Sequence, residues 1–98
     1  MQEPLSLPAE LTIYSVGELL PRLRAHLAER ADQGALEYLR IEADAVEEID
    51  AAGVQLLLAL ANTLTGDRCV LQLVSPSAPL VRACAGLGAS ALLAGAAP

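Results

Sequence analysis

The stretch "EEIDAAGVQLLLAL", residues 47–60, holds the part of the chain best suited to chemistry. A strand-like lead-in ends at Asp50, passes Ala51, Ala52 and Gly53, and becomes a leucine-rich run. Many α/β proteins place functional side chains at such a helix entry. Asp50 reads as a helix N-cap, worth about 1 kcal/mol. It also reads as an acid that orients a partner's group, and the two roles coexist. Ala51 and Ala52 offer methyl groups and no hydroxyl. Gly53 reads as a point of close backbone packing.

The other chemical candidates are weaker. Glu42, Asp44, Glu47, Glu48 and Asp50 precede the same helix. Such oxygens could hold a divalent cation, yet charge runs are usually solvated. The better functional reading is an acidic rim that steers a basic partner. His26 has no ligand-type neighbour at metal spacing and reads as solvated among Arg24, Glu29 and Arg30. Cys69 and Cys84 lack zinc spacing and read as buried, reduced thiols. Ser75 and Ser77 flank Pro76, which suits a turn into a helix cap. The chain shows no Ser-His-Asp set, phosphate-binding loop or glycine fingerprint, so no enzyme and no cofactor is expected.

The elements that must position this region follow from periodicity. Residues 5–7 and 10–13 read as short strands, the first bracketed by Pro4 and Pro8. "SVGE" at residues 15–18 is a capping-box pattern. Val16, Leu19, Leu20, Leu23 and Leu27 then recur at helical spacing, with Pro21 as a kink or as the real start. Gly34 reads as the C-cap. Residues 35–41 read as a strand, 52–65 as the second helix, 69–74 as a strand and 80–87 as the third helix. Residues 89–93 add a turn, and 94–98 read as a frayed tail. The β-β-α-β-α-β-α order predicts parallel strands joined by right-handed crossovers. On the second helix, Val54, Leu57, Leu58, Ala61 and Leu64 form the stripe expected to face the sheet.

Bulk properties narrow the class. The 98 residues suffice for one domain, and 54% are hydrophobic against 18% charged. Phe and Trp are absent, so the core must be aliphatic. All basic residues are Arg, scattered along a chain of net charge −6. Nucleic acid is therefore not an expected partner. The N-terminus has no signal-peptide pattern, and no apolar run is long enough for insertion into a membrane. A cytoplasmic protein is expected.

The motif "EIDAAGVQLLLAL" resembles the signature of the STAS domain, found in anti-sigma factor antagonists and sulphate-transporter tails. That signature is an acid, Ser or Thr, a small residue and Gly, opening an apolar helix. Here it is Asp50, Ala51, Ala52 and Gly53. "LSLPAELTIYSVGELLPRL" is similar to the family's first strands and helix, and "LQLVSPSAPLVRACAGLG" to its last strand, turn and helix. The resemblance spans residues 5–93 and makes 1–98 a single STAS domain. It implies a mixed four- to five-stranded sheet with helices packed mainly on one face. It implies a bacterial, non-enzymatic regulatory module.

In antagonist members the residue after the acid is phosphorylated by a kinase that is also the anti-sigma factor. A phosphate there sits at a helix N-terminus, which favours an anion, and brings about −1.5 to −2 charge onto the docking surface. Ala51 holds the phosphoacceptor position and cannot be modified. The expected partner is an anti-sigma factor or histidine-kinase-like ATPase, in a pathway such as chemotaxis or two-component signalling. The alternative is an accessory STAS subunit of a lipid-transport ABC complex that binds its ATPase. A Thr is common at the switch position of those subunits, which counts mildly against. Leu56, Ala59, Leu60 and Thr63, beside Ala51 and Ala52, are expected to form the docking face. The competing reading is that the domain's own helices cover Leu56 and Leu60. A greasy patch of this kind could also make a weak homodimer, though an obligate one is not required.

Overall fold

The computed structural model describes residues 5–31, 38–66 and 69–93. The proposed C-cap Gly34, the start of the third expected strand and the expected tail at 94–98 lie outside them. The chain runs β1 (Leu5–Ser6), β2 (Glu10–Leu11), α1 (Val16–Ala31), β3 (Tyr38–Glu42), β4 (Glu48–Ile49), α2 (Ala51–Gly66), β5 (Val70–Val74) and α3 (Ala78–Gly86). A 3-10 turn at Ser90–Leu93 follows.

The expected mixed sheet of four to five strands is corrected in two respects. Every strand pair among the described residues is parallel, and the strands divide into a three-stranded sheet, β1-β3-β5, and a two-stranded one, β2-β4. Leu7 donates its N–H to the Glu42 carbonyl at 2.8 Å, and the chain leaves β3 past Pro8. The chain bends there. Pairing resumes when the Ala9 carbonyl accepts from Glu47 and Glu48 at 2.8 and 3.0 Å. The strand-like lead-in to Asp50 is a strand, β4, of only two residues, Glu48 and Ile49, too few for an alternation to show.

Alternation is clear in the longer strands. Leu39 and Ile41 of β3 stand beside Leu71 and Leu73 of β5, and all four are buried. Tyr38, Arg40 and Val70 point to the opposite, exposed face. The inward row joins Leu7, Leu11, Leu19, Leu23, Val54, Leu57, Leu60, Leu64 and Leu80 in one aliphatic core, with no buried polar residue among those described. Cys69 and Cys84 are buried, unbridged members of that core, and desolvation pushes the Cys84 thiol up.

Helix α1 runs unbroken through Pro21, so that residue does not mark its start. The capping box at Ser15 is absent. The Ser15 hydroxyl accepts from the Thr12 N–H at 2.9 Å and donates to the Glu10 carbonyl at 2.9 Å. It ties the β2–α1 turn to itself rather than to the helix. His26 is half-buried and makes contacts of its own, rather than standing in solvent. In α3, Ser77 does cap the helix, accepting from the Leu80 N–H at 3.3 Å.

The stripe of α2 that faces the sheet is rotated from the expected one. Its buried residues are Gly53, Val54, Leu57, Leu60 and Leu64. Leu58 is 37% exposed and Ala61 is half-buried.

Candidate functional site

The start of α2 is held by Asp50. Its Oδ1 accepts from the Gly53 N–H at 3.2 Å, which caps the first turn. Its Oδ2 accepts from the Ile13 N–H at 3.0 Å, which fastens the β2–α1 turn to the helix entry. Its own N–H reaches the Leu11 carbonyl at 3.4 Å, extending the β2-β4 pairing. The Ile13 bond above all holds the carboxyl below the usual carboxylate range, with the Gly53, Ala52 and Asp50 N–H groups assisting against desolvation. The cap and the strand pairing therefore act through one side chain.

This gives a pH expectation. An unfolded Asp has a pKa of about 3.9, and the folded value is lower. The Asp50 contribution is then complete above the unfolded value and is lost as pH falls through the depressed folded one. Thermal melts between about pH 5 and about pH 2 should show wild type losing stability more steeply than Asp50→Asn. Equal slopes would mean that the carboxylate does not hold the two segments together.

Gly53 is fixed by a close approach. A Cβ built there would overlap the Leu11 carbonyl oxygen and lie 2.9 Å from Leu11 Cγ and 3.0 Å from its carbonyl carbon. Only glycine lets the first turn of α2 pack this tightly on the end of β2.

Apolar side chains flank this staple. Ala51 is exposed and Ala52 half-buried. Ile13 and Tyr14, in the turn that Asp50 fastens, are 61% and 90% exposed. Sequence reasoning missed both, because it continued β2 through Ile13. The available signal was two bulky apolar side chains directly before the helix-start serine.

Along α2, Ala52, Leu56, Ala59 and Thr63 recur at spacings of four, three and four, so they share one stripe. Leu56, Ala59, Leu60 and Thr63 line one wall of a groove of about 360 Å³, and Leu20, Leu23, Arg24 and Leu27 of α1 line the other. Leu60 is only 7% exposed and lies at the base, whereas Leu56 is half-buried. The domain's own packing thus covers Leu60 but leaves Leu56 partly open. Ala51 stands about 100° around the helix from Ala52, beside the groove rather than in it. The α1 wall was also missed, since those leucines read equally well as core. Thr63 donates its hydroxyl to the Ala59 carbonyl at 2.9 Å, so it presents mainly its methyl group.

The acids before α2 do not gather. Asp44, Glu47 and Glu48 are exposed, while Glu42 accepts from the Ser6 hydroxyl at 3.0 Å. Among the described residues no group of three His, Cys, Asp or Glu side chains could hold a metal ion. No helix there is long and apolar enough to cross a membrane.

The structure thus joins a helix entry stapled by the Asp50 carboxylate to an open apolar groove between α1 and α2. The chain belongs to the STAS family: the family described as "Mlab, STAS domain" matches residues 2–95 of the 98. Members are in general non-enzymatic regulatory modules that interact with proteins, of the kind that includes anti-sigma factor antagonists. Curated proteins and solved structures give no match.

Proposed function

We propose that the chain is a STAS docking module that binds a regulatory kinase or anti-sigma factor, an ATPase of the histidine-kinase type. Its docking surface is the α1–α2 groove together with Ala51, Ala52, Ile13 and Tyr14. The observation that carries this reading is the shared stripe of Ala52, Leu56, Ala59 and Thr63, which runs from the helix entry into an open apolar groove. Few charged groups need desolvation there, so the surface suits a partner's apolar anchors. Exposed Asp44, Glu47 and Glu48 lie before the same helix and steer a basic partner toward it. Ala51 offers no hydroxyl to phosphorylate at the helix entry, so the module is constitutively competent and any switching belongs to the partner.

The test is capture from the native lysate with wild type, Leu56→Glu and Ala51→Asp in parallel. Leu56 is half-buried, so Glu can turn outward and the fold should survive, which circular dichroism checks. Loss of a central anchor costs about 2 kcal/mol or more, some 30-fold in affinity. Leu56→Glu should therefore lose the kinase or anti-sigma factor. Ala51→Asp should weaken it without unfolding, since a helix start favours negative charge. Equal capture by wild type and both variants would remove this face from the interface. Capture of an ABC ATPase instead would assign the chain to transport, as an accessory subunit.

A further inference from the structure

Among the described residues, the second surface that no helix covers is the outer face of the three-stranded sheet. Parallel sheets are normally covered on both faces. Here the core lies on one face, and Tyr38 and Val70, neighbours in register, are each 52% exposed on the other. The next row pairs Arg40 with Gln72, and the row after it pairs Glu42 with Val74 and with Ser6 of β1. The Ser6–Glu42 hydrogen bond of 3.0 Å fixes the carboxylate on this face.

We infer that this face binds a second copy of the chain. Two features select that occupant. The first is local charge. The chain carries a net −6, so two copies repel through most of their surfaces. On this face Arg40 and Glu42 cancel. The second is reciprocity. Arg40 and Glu42 lie two residues apart on one strand, about 6.6 Å along it. A two-fold axis lying across the strands between these rows sets Arg40 on Glu42 of the partner subunit, and the reverse contact forms by symmetry. An axis through the Arg40 row would stack like charges, so charge also sets the register. The face spans only three short strands, which places the dimer in the weak, small-interface class. It leaves the α1–α2 groove free, so the pair would present two grooves.

Sedimentation from about 10 μM to about 1 mM should show the mass rising from monomer toward dimer. Arg40→Glu and Glu42→Arg should each weaken association about tenfold or more, because each change creates two like-charge contacts. The Arg40→Glu/Glu42→Arg double variant should recover wild-type association. Arg40 is exposed and Glu42 half-buried, and far-ultraviolet circular dichroism verifies that the variants fold. A wild type monomeric throughout would overturn the inference. So would a double variant as weak as the single ones. These outcomes are independent of the groove, whose partner is read by capture.

Discussion

Gly53→Ala should destabilise the domain even though alanine is the better helix former. Alanine normally gains about 1 kcal/mol over glycine inside a helix. It also reduces the entropy of the unfolded chain. At Gly53 the new methyl group meets the Leu11 backbone, not the end of a flexible side chain. That carbonyl is tied to the Asp50 N–H at 3.4 Å, and Leu11 is fully buried, so neither partner can yield cheaply. Overpacking of this kind costs about 1–3 kcal/mol. For a domain of this size each kcal/mol lowers Tm by about 4–8 °C. Gly17→Ala is the matched control, because nothing lies within 4 Å of its Cβ position. It should raise Tm, or leave it unchanged, while Gly53→Ala lowers it. If both variants raised it, α2 would not approach β2 as closely as the structure has it.

The same position shows what could be read beforehand. Glycine after two small residues signals close packing, and the packing is there. The identity of the neighbour was not legible, because Leu11 lies 42 residues away in a strand two residues long. The helices were legible because their period repeats over several turns. The partner of strand β4 and the bend at Pro8 were not, since both depend on pairing between distant segments rather than on local pattern. Ser15 was misread for a related reason. A serine three residues before a glutamate satisfies the capping-box pattern, but its hydroxyl found nearer partners in the turn. The groove was half legible. Its α2 wall follows from helical spacing, whereas its α1 wall depends on how two helices cross.

How α2 is rotated can be tested by a pair of neighbours. Both Leu57 and Leu58 fit the stripe expected to face the sheet, yet adjacent helical residues differ by about 100°. The structure buries Leu57 completely and leaves Leu58 37% exposed. Leu57→Ala should therefore cost about 2–5 kcal/mol, from lost burial and the cavity left behind. That is a large share of the roughly 5–15 kcal/mol available to a small domain. Leu58→Ala should cost well under half as much. Leu58 lines a shallow hollow with Val70, Leu71 and Leu92 and keeps part of its surface in water. Urea unfolding of both variants, read as a midpoint shift at unchanged slope, measures the difference. Equal losses would mean that the helix is turned toward Leu58. Leu60 would then rise from the base of the groove, and the stripe from Ala52 to Thr63 would no longer face α1. The docking surface thus rests on the same rotation that decides which of these two leucines is core.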